Sequence, residues 1–308
     1  MVKISTQAIK VARPIHWIKN LALFAALFFT SNLFNPMLFK TVFWAFISFN
    51  FATSASYIFN DIIDAEKDRK HPTKKFRPIA SKKLPVSTAV IEILILLFLS
   101  FISSHSLNPL FRFSLTAYII LQLLYSLALK NIYILDIFTI AFGFIIRIYA
   151  GAFVINAHLS VWFLLCVIST ALFLAAGKRR SELNIPESLT GTTRISLSKY
   201  SRELLNSYVT MFGNAAWLSW SLFSFFETPK VSLNVWLFFA EISRTTTIDK
   251  ILMLTIPLSI YGIMRYESII FEGKSEAPEK ILLTDKGLIV SILLWAIIVY
   301  WVLYSATI

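Results

Sequence analysis

The chain has 308 residues, 57% hydrophobic and only 15% charged, with a mean hydropathy of +0.70 and a formal net charge of +12. That composition excludes an ordinary soluble globular protein, which carries far more charge. No nucleic-acid-binding motif accompanies the basic residues, and the lone Cys166 excludes an intrachain disulfide.

Along the chain, the first residues are too polar for a cleavable signal peptide. "RPIHWIKN" places His16 and Trp17 among bases and reads as an interfacial anchor. Apolar runs of about 17–25 residues then recur, each long enough to cross a bilayer as a helix. They predict about nine spans, at roughly 20–38, 41–61, 86–104, 112–129, 134–154, 159–177, 204–226, 248–264 and 286–305. Val231–Ile242 is apolar but short, and reads as an interfacial or half-buried helix. Open sheet edges cannot be satisfied in lipid. The expected fold is therefore all-α: a polytopic membrane helical bundle forming a single domain over the whole chain.

The bases are distributed unevenly. Lys3, Lys10, Arg13, Lys19, the run Lys67–Lys83, Lys130, Lys178–Arg202 and Arg265–Lys286 fall on one side of that topology. Lys40, Arg112, Lys230, Arg244 and Lys250 fall on the other. The bias predicts a cytoplasmic N-terminus in the plasma membrane and an outward C-terminus. It also accounts for the basic charge without a nucleic-acid partner.

One stretch does not fit a merely apolar protein. "YIFNDIIDAEKDRKHPTKKFRPIASKK", Tyr57–Lys83, holds four acids and eight bases. Asp61, Asp64 and Asp68 are spaced three and four apart, which places them on one helix face at the end of the second span, beside Asn60. Like charges so close need cationic partners or a divalent cation, and Mg²⁺ suits carboxylate and phosphate oxygens. The plain alternative is a solvated helix end whose acids balance Lys67, Arg69 and Lys70. Lys74, Lys75 and Arg77 follow at once, supplying cations for phosphate. His71 is the sole histidine nearby and is assigned to loop structure.

"NDIIDAEKDRKHPTKKFRPIAS" resembles the first aspartate-rich motif of the UbiA-type intramembrane prenyltransferase superfamily, whose span count is also nine. Branches that transfer prenyl groups to arenes carry a second acid-rich motif after the sixth helix. Here "GKRRSEL" offers Lys178, Arg179 and Arg180 with one acid, Glu182. The stretches "RPIHWIKNLALFAALFF", "YSLALKNIYILDIFTIAFGFIIRIYAGA", "LFLAAGKRRSEL" and "SEAPEKILLTDKGL" are similar to the polyprenyl-phosphate phosphoribosyltransferase branch.

That resemblance implies 5-phosphoribosyl 1-diphosphate (PRPP) as donor and a polyprenyl phosphate as acceptor. It implies a product that feeds lipid-linked arabinofuranose for cell-wall polysaccharide. Asp61, Asp64 and Asp68 are then the expected Mg²⁺ ligands and catalytic residues, with Asn60 orienting a carboxylate or touching the donor. Lys74, Lys75, Arg77, Lys178, Arg179, Arg180 and Glu182 are candidates at the donor phosphates. Lys130 is expected as a phosphate ligand and catalytic residue, with Tyr125 as its neighbour and Asp136 and Lys19 as further substrate-binding candidates.

Arg147 falls inside the fifth span, where a charge must face the bundle interior. It lies about 16 Å along the helix from Asp136, and either holds the acceptor phosphate or pairs with a buried acid. Thr284 or Asp285 should cap the last helix, while Glu267 and Glu279 read as salt-bridged loop residues. Two rival functions stay open at this point: prenyl transfer to an aromatic acceptor on the same fold, and membrane transport. The oligomeric state also stays open, with a homotrimer as one assembly.

Overall fold

The computed structural model describes residues 2–71, 73–184, 196–227, 248–272 and 284–304, apart from the side chains of residues 2–5 and 248–251. Every regular element among the described residues is helical. The chain divides into two compact units, one built from the described parts of Met1–His158 and Ile185–Tyr200, the other from those of Leu159–Asn184 and Ser201–Ile308.

In the first unit, α1 (Val2–Ala12) leads through Arg13 into a 3-10 segment, Pro14–Phe24, and a short α2, Ala25–Phe29. α3 (Pro36–Ile63), α4 (Ala65–Lys70), a 3-10 turn at Lys74–Phe76, α5 (Val86–Ser104) and α6 (Pro109–Leu127) follow. A 3-10 turn at Leu129–Asn131 precedes α7 (Leu135–Val154), and a last 3-10 turn, Leu197–Lys199, returns to this unit.

Local sequence starts these helices. Asn35 accepts from the amides of Met37 and Leu38, with Pro36 as the first helical residue, and Asn108–Pro109 repeats the device at α6. α3 has 28 residues, a length of about 42 Å. That exceeds the roughly 30 Å hydrocarbon core, so α3 must project beyond the core, and its last turn carries the acidic motif.

α3 packs against α5 and α6, and α7 packs against α6 and the Pro14–Phe24 segment. Ser48 Oγ donates to the Ser100 carbonyl and Ser100 Oγ to the Ser48 carbonyl, both at 2.8 Å, so small residues bring α3 and α5 together. Leu23, Phe49, Ala52, Phe111, Leu115 and Ala150 form the core. Gly151 sits directly against the Leu23 carbonyl, where a Cβ would collide with backbone.

In the second unit, α8 (Val161–Glu182) packs along α9 (Arg202–Phe226) and against α10 (Ile256–Phe271), and α10 packs on α11 (Lys286–Tyr304). Ser160 and Ser201 cap α8 and α9. Asp285 Oδ1 accepts the Leu288 amide at 2.9 Å, the cap expected for the last helix.

Six helices, α3, α5, α6, α7, α8 and α11, are long and apolar enough to cross a membrane among the described residues. The expected first span is not one helix. The backbone turns after Phe29, with Ser31 at φ 58°, and the Asn35 cap starts α3 several residues before the predicted second span. The expected eighth span is divided as well: a 3-10 segment, Ile248–Thr255, precedes α10, whose first turn contains Pro257. Helix α8 runs on to Glu182, so Lys178–Glu182 are helical rather than loop. Glu267 lies on α10 rather than in a loop and forms no salt bridge among the described residues. The Val231–Ile242 segment and Glu279 lie outside the described residues.

Gly151→Ala tests the α7 packing. Because the new methyl meets backbone, the substitution is expected to destabilise the protein by about 1–3 kcal/mol or more, seen as a lower melting temperature in detergent. An unchanged melting temperature would contradict the close approach.

Candidate active site at the ends of α3 and α4

The three aspartates all fall at the junction of α3 and α4, so they are not on one uninterrupted helix. α3 ends at Ile63, Asp64 is its C-cap, and α4 begins at Ala65. Asp61 is buried on the last turn of α3, and Asp68 is buried on α4.

Each carboxylate meets a cation. Asp61 Oδ1 accepts from Arg13 at 2.5 Å and from Arg77 at 3.0 Å. The same Arg77 nitrogen donates to Asp68 Oδ2 at 2.6 Å, so it bridges two acids. Lys130 Nζ donates to Asp64 Oδ1 at 2.6 Å, and Asn60 Nδ2 to Asp64 Oδ2 at 3.1 Å. Lys130 also donates to Asn60 Oδ1 at 3.3 Å, so Asn60 orients both partners. Burial pushes the Asp68 carboxyl above its ordinary range, opposed by the neighbouring Arg77 and Lys74 charges.

Arg13 was not singled out as a site residue by its sequence. It joins α1 to the 3-10 segment with φ 53° and ψ 59°, a left-handed conformation that costs a non-glycine residue about 1–3 kcal/mol. Its guanidinium also lies over Tyr57, 5.4 Å from the ring centroid. A signal was available: Arg13–Pro14 and Arg77–Pro78 are both Arg-Pro steps, and proline disfavours the right-handed helical region for the residue before it. Arg77 accordingly has φ −62° and ψ 144°. Neither arginine has right-handed helical geometry, and both reach Asp61.

The other candidates are placed as follows. Lys74 is half-buried, and Lys75 is exposed over the Phe76 ring. His71 Nδ1 accepts from the amides of Thr73 and Lys74, the loop role expected of it. Tyr125 is half-buried near the end of α6, and Lys19 is half-buried on the Pro14–Phe24 segment. Asp136 has no exposed surface, and its two oxygens contact Tyr200 and Ser196.

Arg147 does face the interior, at 4% exposure, but it meets no acid among the described residues. It donates to Asn20 Oδ1 at 2.6 Å, to the Gly143 carbonyl at 2.5 Å and to the Tyr118 hydroxyl at 2.8 Å. Asn20 in turn donates to Asn50 at 2.6 Å and to Thr53 at 3.2 Å. The charge is therefore solvated by neutral dipoles, and the acid-pairing alternative does not hold.

In the second unit, Arg179 donates to Glu182 at 2.7 Å across one helical turn. Arg180 donates to Asn206 and Asn184, both at 2.6 Å, and lies over the Phe271 ring. Lys178 is half-buried.

A divalent cation is testable against these residues. As arranged, no three acids among the described residues converge on one point. Asp61 Oδ2, however, is a buried carboxylate oxygen without a hydrogen-bond partner. The donor set is all oxygen, as a hard cation prefers. The residues fit such an ion once their cations are drawn elsewhere.

Comparisons with known proteins place the chain in a family. Residues 21–178 match the UbiA prenyltransferase family. The decaprenyl-phosphate phosphoribosyltransferase of Corynebacterium glutamicum is 33% identical over 303 residues, covering 96% of this chain and 86% of that one. The enzyme of the same name from Mycobacterium tuberculosis is 33% identical over 291 residues, covering 93% and 91%. Among solved structures, a UbiA homolog from Archaeoglobus fulgidus bound to DMAPP and Mg²⁺ superposes with a TM-score of 0.68 at 18% identity, covering 96% of this chain and 99% of that one. Digeranylgeranylglyceryl phosphate synthase gives 0.65 at 17% identity, covering 99% and 100%. With its apolar helices, its NDxxDxxxD acids at the end of α3 and these whole-length similarities, the chain is a multi-pass membrane protein belonging to the UbiA prenyltransferase family.

Proposed function

We propose that this protein transfers 5-phosphoribose from 5-phosphoribosyl 1-diphosphate to a polyprenyl phosphate, releasing diphosphate. The transfer takes place at the cytoplasmic face of the plasma membrane. The product is a step towards lipid-linked arabinofuranose for cell-wall polysaccharide. The observation that carries this reading is the similarity to decaprenyl-phosphate phosphoribosyltransferases along nearly the whole chain.

The chemistry suits the residues. An oxygen of the acceptor phosphate forms a bond to ribose C1 while the C1–O bond to diphosphate breaks, its electron pair leaving with the diphosphate. The acceptor is already anionic near neutral pH, so no strong general base is needed, and His71 is left to loop structure. What the site must do is receive negative charge as it builds on the leaving group. Arg13, Arg77 and Lys130 are positioned for that: each can leave a carboxylate for a phosphate oxygen without crossing the membrane. Asp61, Asp64 and Asp68, relieved of those cations, would hold Mg²⁺, which supplies further charge neutralisation on the diphosphate when bound. Asn60 holds Asp64 in either arrangement. Arg147 keeps the bundle interior in register.

Prenyl transfer to an arene is the rival on this fold. The segment at the end of α8 argues against it. It has one acid, Glu182, already engaged by Arg179, where that chemistry calls for an acid pair.

Three outcomes are expected. In detergent, radiolabel from 5-phosphoribosyl 1-diphosphate should pass to polyprenyl phosphate with Mg²⁺ and stop with EDTA. Turnover of a prenyl diphosphate with an arene instead would replace this reading. Asp64→Ala should lower transfer by about 10²–10³-fold, the scale of losing a group that organises transition-state charge.

The double variant Arg13→Met/Arg77→Met leaves Asp61 buried with no cation. Its cost should be about 3–5 kcal/mol, and millimolar Mg²⁺ should recover part of the lost melting temperature. No recovery by Mg²⁺ would remove Asp61 from the metal site.

A further inference from the structure

The groups that hold Lys130 in place come from far along the chain. Lys130 lies in the 3-10 turn Leu129–Asn131 at 4% exposure, and the path of that short connection sets where its ammonium falls. The connection is strained where it enters α7. The Leu135 amide donates to the Tyr133 carbonyl at 2.8 Å across Ile134, whose φ is 66° and ψ −46°. This is the positive-φ form of the γ-turn, rare for any residue and ill suited to a β-branched one. Such strain persists only where surrounding contacts over-determine it, and it clusters at functional sites.

Those contacts come from Ser196 and Tyr200, in the connection between α8 and α9. The Tyr200 hydroxyl accepts from the Ile134 amide at 2.9 Å and donates to Asp136 Oδ1 at 2.7 Å. Its ring lies 4.6 Å from that of Tyr133. Ser196 Oγ donates to the carbonyl of Lys130 itself at 2.8 Å and lies 3.3 Å from Asp136 Oδ2. Asp136 and Ser196 are fully buried and Tyr200 is 6% exposed, so water does not substitute for these bonds.

The geometry points to Ser196 and Tyr200 as positioning residues that clamp the turn between α6 and α7 and thereby hold Lys130 on Asp64. Asp136 belongs to the clamp as its anchor, rather than to the substrate. The role of Lys130 in phosphoribosyl transfer rests on the function proposed above, whereas the clamp does not.

The test therefore reads Lys130 directly. Wild type, Tyr200→Phe, Ser196→Ala and Ser196→Thr would be acylated briefly with acetic anhydride, and Lys130 and the exposed Lys82 quantified by mass spectrometry. Lys130 labelling relative to Lys82 should rise about fivefold or more in Tyr200→Phe and Ser196→Ala, and stay near wild type in Ser196→Thr, which keeps the hydroxyl. Transfer activity should fall in the same two variants and persist in Ser196→Thr.

A lower melting temperature with unchanged Lys130 labelling in both variants would mean mere packing and would overturn the inference. If one variant fails to fold, the other decides. Should the wild type show no phosphoribosyl transfer while the labelling pattern holds, the proposed function fails and the clamp stands.

Discussion

The structure of the first unit turns on a buried carboxylate. Asp61 is 2% exposed at a helix end, and a charge there persists only with partners. Its partners arrive from both directions of the chain, Arg13 before α3 and Arg77 after α4. Bringing both to one oxygen fixes the α1 junction and the loop before α5 relative to α3. Arg77 then ties in Asp68, and Lys130 brings the connection between α6 and α7 to Asp64. Three acids meet three cations drawn from three separate segments. The acidic motif is thus also the point where the connections on this side of the unit are joined.

A second polar cluster serves the first. Arg13 is held at the start of the Pro14–Phe24 segment, and that segment needs an anchor within the apolar core. Asn20 supplies it by accepting from Arg147 and donating to Asn50 and Thr53 on α3. An unpaired arginine in a membrane bundle is expensive. Here the cost is offset by the Tyr118 hydroxyl and ring, the Gly143 carbonyl and Asn20. Removing the Arg147 charge would loosen the segment that presents Arg13, a route from the bundle interior to the acid site that runs through the Arg147–Asn20 hydrogen bond.

Much of this was legible in the chain. The apolar runs announced an all-helical membrane protein, since their length is set by the bilayer. The acid spacing and the Arg-Pro step after it announced a charged site at the end of α3. What was not legible had physical causes. The first predicted span dissolved into a 3-10 segment and a short helix, because hydropathy reports apolarity and is blind to a turn made by residues such as Ser31. Arg13 was hidden because its partner is 48 positions away, and it looked like one more positive charge of a membrane topology. Asp136 enters as a substrate-binding candidate only through the family resemblance. Its hydrogen-bond partners Ser196 and Tyr200 lie 60 and 64 positions on and leave no mark on local sequence.

The balance of charges bears on how such a site works. Acids already neutralised by arginine and lysine have little attraction left for a metal ion by itself, and cations already held by carboxylates have little left for a phosphate by itself. A diphosphate and a divalent ion arriving together alter both sides at once, since each takes up the charges the other displaces. On the proposed function, this exchange explains why one cluster carries both signs. It keeps three carboxylates and three cations stable at a membrane surface when no substrate is bound, and it makes productive rearrangement depend on metal and donor jointly. Lys130 contributes to that exchange only if its backbone stays still while its ammonium moves. A turn clamped by buried hydrogen bonds provides that stillness better than a flexible loop does.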